Sequence, residues 1–235
     1  AVAGGPADLL DCELIVLCTP VNRIVEDALQ LRAAVGTAPL ITDVGSVKGP
    51  ICAPLGEAMP HQFVGSHPLA GSEQAGFEAA RPNLFEGRTC VVTPVPESPQ
   101  EVVSKISDFW TALGMEVRLM AADQHDRLLA LTSHLPHVAA AALAAQLTPE
   151  AAPLAATGFR DTTRVAAGDA ALWAAILHMN AAAVSAELGK LLDNLQDFRS
   201  ALDAGDGAKL QQLLAAGQAG RQLFTAEQQG DEAGS

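Results

Sequence analysis

Short apolar runs with strand character alternate with helix-like stretches over the first half of this chain. The apolar runs lie near residues 13–19, 40–45, 62–66, 89–94 and 116–120. The stretches that predict helices lie near residues 22–35, 47–59, 72–80 and 98–113. Because strands and helices that alternate in this way are joined by right-handed crossovers, the pattern predicts an α/β fold with a mainly parallel sheet.

The second half of the chain has a different character. From Ala122 onward, Ala and Leu dominate, and long helical segments are predicted near residues 122–147, 169–204 and 206–226. The pattern therefore predicts an α/β domain over residues 1–120, followed by an all-helical domain over 121–226. Residues 227–235 are rich in Gln, Gly and acidic side chains, a composition typical of a disordered tail.

One helical segment carries an apolar stripe along one face. Its members are spaced three and four residues apart: Leu188, Leu191, Leu192, Leu195, Phe198 and Leu202. Such a stripe packs against another surface, which is either the core of the same chain or a second copy. An elongated helical region rarely buries every stripe by itself, so we expect a homodimer formed through the helical half.

Charge and composition exclude several classes of function. The net charge of −13 argues against binding to nucleic acid and to anionic membrane surfaces. No apolar run reaches the roughly 20 residues that span a bilayer. The four cysteines show neither the spacing of a metal site nor the density of a disulfide scaffold. We expect a cytoplasmic protein that acts on a small molecule without a metal ion.

Three predicted strands end next to chemically useful residues. The first strand stops at Thr19 and Pro20, the second runs into Ser46, and the third ends at His67. The carboxyl ends of parallel strands share one edge of a sheet, where ligands of α/β proteins bind. His67 is the first candidate for catalysis, since a neutral imidazole accepts protons near neutral pH. Thr19, Pro20 and Ser46 are candidates for contacts with a cofactor.

The glycine-rich turn of dinucleotide-binding folds, G-x-G-x-x-G, does not occur in this sequence. The segment from Ala3 to Pro6 is a poor substitute, because no strand precedes it and Pro6 interrupts it. The chain also begins at Ala1 rather than Met. We therefore expect that the first strands of the nucleotide-binding domain are missing and that cofactor affinity is strongly reduced.

Five motifs in series carry a resemblance to a known family. They are Thr42–Gly49, Gly65–Glu73, His125-Asp126, Ser133–His137 and Gly158–Ala166. In this order they resemble the successive motifs of the prephenate/arogenate dehydrogenases. The similarity extends from about Asp11 to Phe224, and five motifs in order are far more specific than any one of them.

The resemblance implies an enzyme of tyrosine biosynthesis. It also implies a partial dinucleotide-binding domain of the Rossmann type over residues 1–120 and a helical substrate and dimerisation domain over 121–226. Such an enzyme oxidatively decarboxylates prephenate to 4-hydroxyphenylpyruvate, or arogenate to tyrosine, with NAD or NADP as the hydride acceptor. By position, His67 matches the catalytic histidine, Ser46 the serine that contacts it and the nicotinamide, and Arg164 the arginine that binds the ring carboxylate. The resemblance also implies further positions in the substrate pocket: His137, Ser72 and, at its mouth, Glu73.

Each of these residues has a plainer interpretation. His67 could be a structural histidine, Ser46 a simple helix N-cap, and Lys48 a solvated lysine at a helix start. Arg164 could form a surface ion pair with a neighbouring carboxylate, either Asp161 or Asp169.

Other interpretations concern the site and the whole chain. His134 and His137 could suggest a metal pair, but no third ligand of suitable spacing accompanies them. The alternative to an active dehydrogenase is a catalytically silent remnant that dimerises or binds substrate. Dehydrogenases of β-hydroxyacids and reductases of pyrroline carboxylate also join a Rossmann half to a helical half, but the serial motifs disfavour them.

Overall fold

The computed structural model describes residues 4–71 and 80–233 of the chain. Within these residues the strands are β1 (Leu14–Leu17), β2 (Leu40–Asp43), β3 (Gly65–Pro68), β4 (Thr89–Thr93) and β5 (Glu116–Leu119). The helices of the first half are α1 (Ile24–Val35), α2 (Gly49–Ala58) and α3 (Gln100–Ala112). The alternation of strands and helices predicted from the sequence is therefore confirmed, apart from the helix near 72–80, which lies largely outside the described residues.

The sheet is mainly parallel, as predicted. Strand β1 pairs in parallel with β2, and a parallel bridge between Ile41 and Phe63 continues from β2 toward β3. Strand β3 then runs antiparallel to β4, which pairs in parallel with β5. One antiparallel pair thus stands inside an otherwise parallel arrangement, a mixture common in α/β folds.

Apolar side chains from the strands and helices form two clusters of the core. The first joins α1 and α2 to β2, and its most buried members include Ile24, Ala28, Ile41, Ile51, Leu55 and Phe63. The second joins α3 to β4 and includes Cys90, Val92, Ile106 and Trp110. Burial of this kind is the main favourable term that holds the helices on the sheet.

The helices that follow the sheet are α4 (Ala122–Leu129), α5 (Leu135–Ala144), α6 (Thr157–Thr163) and α7 (Ala170–Met179). The sequence predicted one helix over 122–147, but a π-helical turn, Ala130–His134, separates α4 from α5. Pro136 explains the interruption, because its missing N–H cannot bond the carbonyl of Thr132 and its ring crowds that carbonyl. Turns of this type are frequent at functional sites.

The chain divides into two compact units, Ala1–Val184 and Ser185–Ser235. This division describes how the chain packs, and the boundary near residue 120 stays a prediction. Helices α4 to α7 belong with the sheet because α2 and α4 pack on each other and buried polar groups of both halves bond to one another. All the described candidate site residues lie in the first unit.

The second unit consists of most of α8 (Ala181–Asp203) and α9 (Gly207–Ala233). Gly205 ends α8 with a φ of 64°, a left-handed conformation that glycine adopts without strain. Helix α9 continues to Ala233, through most of the segment that the sequence predicted as a disordered tail, since its Ala, Glu and Gln residues favour a helix. No single helix of the described ranges is both long and apolar enough to cross a bilayer, although α7 and α8 pass that test as a bent pair.

Candidate active site

His67 lies inside β3 and not in a loop behind it. The sequence predicted that the strand ends before this residue, but antiparallel pairing with β4 extends the strand to Pro68 and places His67 opposite Val91. The side chain remains half-buried. Its Nδ1 lies 2.8 Å from Nε2 of His125, and the two rings meet edge to face. A residue of the sheet thus contacts a residue of α4.

A carboxylate sets the direction of this contact. Oδ1 of Asp126 lies 2.8 Å from Nδ1 of His125. Because a carboxylate only accepts hydrogen bonds, Nδ1 of His125 carries the proton and its Nε2 offers a lone pair. That lone pair accepts the Nδ1–H of His67, so Nε2 of His67 is left with a lone pair of its own. The Asp126–His125–His67 chain therefore prepares His67 to accept a proton.

Asp126 also caps the start of α2. Its Oδ1 accepts the backbone N–H of Lys48 at 2.7 Å, and its Oδ2 accepts that of Gly49 at 2.8 Å. These N–H groups begin a helix and have no partner within it, and an anion is favoured at this end of the helix dipole. The interpretation of Ser46 as the N-cap of α2 is therefore wrong, since the cap comes from α4, nearly eighty residues further along the chain.

Lys48 is completely buried, not solvated as the simpler interpretation held. Its Nζ forms an ion pair with Asp43, also fully buried, and donates to the backbone carbonyl of Ser66 at 2.7 Å. Asp43 accepts in addition the backbone N–H of Gly45 and of Ser66. The pair therefore ties the loop after β2 to the residue next to His67, with the buried charges compensated by hydrogen bonds.

The surroundings of His67 keep its ring neutral. Burial lowers the pKa of His67 well below its usual range, and the neighbouring His125, Lys48 and His134 lower it further. The imidazole is consequently in its base form throughout the physiological range of pH. This protonation state agrees with the hydrogen-bond directions that Asp126 imposes.

A second group of rings lies beyond His125, on the helices. Asn180 donates to the backbone carbonyl of Asp126 at 2.8 Å and contacts Nδ1 of His134 at 3.0 Å. Burial lowers the pKa of His134 to about 4. His137 stacks on Trp173 with ring centroids 3.3 Å apart, and its Nδ1 donates to the carbonyl of Ser133.

Arg164 opens a short 3-10 turn, Arg164–Ala167, that packs on α5. Burial lowers the pKa of His137, and the nearby Arg164 guanidinium lowers it further against the opposing effect of the Ser133 carbonyl. His137 in turn acts electrostatically on His134, and His134 on His67. The guanidinium of Arg164 thus influences the ring of His137, which stacks on Trp173.

The remaining predicted residues are distributed as follows. Thr19 and Pro20 are exposed directly after β1, and Ser46 is half-buried between β2 and α2. All three therefore stand behind the parallel strand ends, as the sequence predicted. Ser72 and Glu73 lie outside the described residues. Among the described residues no group of His, Cys, Asp and Glu side chains is arranged to hold a metal ion.

Sequence reasoning missed the residues that support His67. Three of these residues carry buried polar groups, but their distances along the chain from His67 follow no recognisable pattern: Lys48, Asp126 and Asn180. The sequence analysis included the pair His125-Asp126 as part of a motif but assigned it no role. One signal was present: His125 and Asp126 are a titratable pair on a helix whose other buried residue is apolar Leu129. Polar residues on the buried face of a helix indicate a partner elsewhere in the fold.

Comparison with known proteins decides the family. Residues 3–119 match the profile of the prephenate dehydrogenase nucleotide-binding domain, and residues 121–216 match that of the prephenate dehydrogenase dimerization domain. This chain belongs to the prephenate dehydrogenase family. The resemblance seen in the five serial motifs is thereby confirmed.

Two curated members of the prephenate dehydrogenase family illustrate the relation. The chain is 36% identical to cyclohexadienyl dehydrogenase of Zymomonas mobilis over 205 residues, which cover 84% of this chain and 70% of the relative. It is 30% identical to prephenate dehydrogenase of Bacillus subtilis over 205 residues, covering 83% of this chain and 55% of the relative. The chain thus spans a little over half of the Bacillus protein.

Solved structures of the family share the fold. Prephenate dehydrogenase from Aquifex aeolicus, in complex with hydroxyphenyl propionate and NAD+, superposes with a TM-score of 0.86 at 28% identity, covering 94% of this chain and 80% of that one. Synechocystis arogenate dehydrogenase gives a TM-score of 0.82 at 28% identity, covering 94% and 82%. A Rossmann-type domain followed by a helical domain, as the sequence predicted, is therefore confirmed.

Proposed function

We propose that this chain carries the active site of a dehydrogenase that oxidatively decarboxylates prephenate or arogenate with NAD or NADP. The single observation that carries the proposal is the buried Asp126–His125–His67 chain, which leaves a proton-accepting nitrogen on His67. The family membership and the relatives named prephenate, arogenate and cyclohexadienyl dehydrogenases support the substrate class.

His67 acts as the general base. The substrate carbon that loses a hydride bears a hydroxyl group, and this hydroxyl must give up its proton as it becomes a carbonyl. Nε2 of His67 accepts that proton, while His125 and Asp126 hold the ring in the correct tautomer. Loss of carbon dioxide then leaves its bonding electron pair to the ring, which becomes aromatic, and the phenolate oxygen formed in this step takes the proton back from His67. The protein has to orient the substrate and remove one proton, a task that needs no metal ion.

The edge behind β1 and β2 suits a dinucleotide. Thr19 and Ser46 present hydroxyl groups there, and the carboxylate of Asp43 is occupied by Lys48 and two backbone amides, so it does not oppose a pyrophosphate. When bound, NAD or NADP supplies the hydride acceptor. We assign cofactor contacts to Thr19, Pro20 and Ser46, with Ser46 between the cofactor and His67.

We assign Arg164 to the substrate carboxylate, with His137 beside it and with Ser72 and Glu73 as further contacts. The supporting observations are the effect of the Arg164 guanidinium on the pKa of His137 and the packing of the Arg164–Ala167 turn on α5, the helix that contains His137. A guanidinium binds a carboxylate through two parallel hydrogen bonds, which a lysine cannot reproduce.

The assay that tests this function follows reduction of the cofactor with four pairs: prephenate or arogenate, each with NAD+ or NADP+. Turnover with at least one pair is expected, and absence of turnover with all four would contradict the proposal. In the same assay, Arg164→Lys is expected to raise KM at least tenfold with a smaller change in kcat, because uniform binding is lost. Arg160→Lys, on the exposed face of α6, is the matched control and should leave KM unchanged.

We also propose a homodimer formed through the helical half. The predicted apolar stripe supports it, since Leu192, Leu195 and Leu202 are each more than half exposed within the chain. The match to the family's dimerization domain supports it as well. Light scattering at micromolar concentration is expected to give twice the monomer mass, and a strictly monomeric mass would contradict the dimer.

A cytoplasmic location completes the proposal. All four cysteines are free thiols in the structure, and none is paired in a disulfide. Reduced cysteines of this kind are typical of proteins kept in a reducing compartment.

A further inference from the structure

Asn180 is a buried polar residue to which the sequence motifs gave no role. It lies directly after α7, and its side chain is 6% exposed. Its Nδ2 lies 2.8 Å from the backbone carbonyl of Asp126 and 3.0 Å from Nδ1 of His134. One amide therefore joins the end of α7, helix α4 and the π-helical turn, which are separated by 54 and 46 residues in the chain.

The chemistry of the amide decides the direction of both contacts. The NH2 group has two hydrogens and no lone pair to offer, so it donates one hydrogen to the Asp126 carbonyl and one to His134. Nδ1 of His134 must therefore be the bare nitrogen, and the proton of the neutral ring resides on Nε2. That Nε2 is buried and has no hydrogen-bond partner among the described residues.

The Asp126 carbonyl matters because the same residue supplies the carboxylate that orients His125. This carbonyl also accepts the N–H of Ala130, the residue at which the π-helical turn begins. Among the described residues, Asn180 is thus the only one whose side chain hydrogen-bonds to this carbonyl. The hydrogen bond holds in place the backbone that carries the Asp126 carboxylate. A shift of that backbone would move the carboxylate away from Nδ1 of His125.

We propose that Asn180 is a positioning residue for the Asp126–His125–His67 chain and that it holds His134 in the Nε2–H tautomer. The inference rests on the proposed function, because it assigns a role to Asn180 through the base His67. Asn180 does not contact the reacting atoms. It acts by fixing where a carboxylate stands and which nitrogen of a neighbouring ring bears a proton.

Two substitutions separate this role from general support of the fold. Asn180→Asp keeps the size of the side chain but replaces the donor by an acceptor. The carboxylate then accepts from His134, so the proton of that ring is expected to move to Nδ1. Asn180→Leu removes the polar group and leaves His134 without a partner on Nδ1. Asn194, an exposed asparagine of α8, serves as the control through Asn194→Leu.

Nitrogen NMR of the histidine side chains reads the tautomers directly, in the unaltered protein and in each variant, without substrate or cofactor. We expect His134 as Nε2–H in the unaltered protein and as Nδ1–H in Asn180→Asp. Both Asn180 variants are expected to lower kcat about ten- to hundredfold while KM changes less than threefold, as loss of an orienting partner of a histidine does. Asn194→Leu should change neither quantity.

Each contrary outcome has one meaning. If His134 carries its proton on Nδ1 in the unaltered protein, the inference is wrong. It is also wrong if Asn180→Asp folds and moves the His134 proton to Nδ1 but leaves kcat unchanged. Activity that vanishes only because a variant unfolds is recognised from its NMR spectrum, and the kcat and KM of the other variant then decide. If the unaltered protein turns over no substrate, the proposed function is wrong. The His134 tautomer can be measured even then, because the NMR experiment needs neither substrate nor cofactor.

Discussion

His67→Asn is expected to lower kcat at least a hundredfold while substrate affinity stays within about tenfold. Asparagine fills part of the volume of the imidazole and can contact His125, but it has no lone pair basic enough to accept the substrate proton. A general base contributes about 10²–10⁴ to the rate. Steady-state kinetics with the best substrate and cofactor measures the effect, and substrate binding is measured separately by calorimetry.

The same residue governs the dependence on pH. Because the pKa of His67 is held well below 6.5, the ring is neutral and active from alkaline pH down past 6.5. Protonation removes the lone pair, so kcat/KM is expected to stay level as the pH falls through 6.5 and to decline only at lower pH. A profile that already falls by half at pH 6.5 would contradict this assignment.

His61 offers the matched control for both measurements. It lies in the same sequence region but is exposed, before the strand that carries His67. His61→Asn should leave kcat and the pH profile unchanged. Equal kcat in the unaltered protein and in His67→Asn would remove His67 from the mechanism.

Lys48→Met is expected to give the largest loss of stability. The substitution preserves much of the apolar stem but removes the charge that compensates Asp43, and both groups are completely buried. An unpaired buried carboxylate left in this way costs about 3–5 kcal/mol. Urea unfolding followed by circular dichroism should show this decrease in the free energy of unfolding.

Lys105→Met is the control because Lys105 forms an ion pair of similar kind with Glu101 on the surface. Its side chain is 61% exposed and that of Glu101 is 77% exposed. Exposed pairs contribute about 0–1 kcal/mol, so this variant should unfold almost like the unaltered protein. If Lys48→Met were no more destabilised than Lys105→Met, the buried pair would have no structural importance.

Much of the fold follows from local patterns. The spacing of apolar residues predicts β1, β2 and β4 within a few residues, because a buried strand requires a short apolar run wherever it lies in the sheet. Strand β5 is also predicted within a few residues, although it is largely exposed. The change from strands to helices near residue 120 can likewise be predicted from the sequence pattern around that position. The extension of β3 through His67 was not predicted, since it depends on pairing with β4.

The site was predictable only where a residue belongs to a motif. His67, Ser46 and Arg164 stand in motifs that can be read along the chain, and the strand ends indicate one edge for Thr19 and Ser46. The groups that prepare His67 cannot be read in this way. Asp126 caps a helix that begins 77 residues earlier, and the sequence around Lys48 contains nothing that says its charge is buried.

Periodicity along the chain therefore dictates the strands, the helices and the candidate base, because these depend on the few residues around each position. Tertiary structure alone decides the state of that base. The proton on His67, the cap of α2 and the buried pair of Lys48 with Asp43 each require groups from distant segments to meet within hydrogen-bond distance. Hydrogen bonds and charge compensation act over a few ångströms of space, irrespective of distance along the chain.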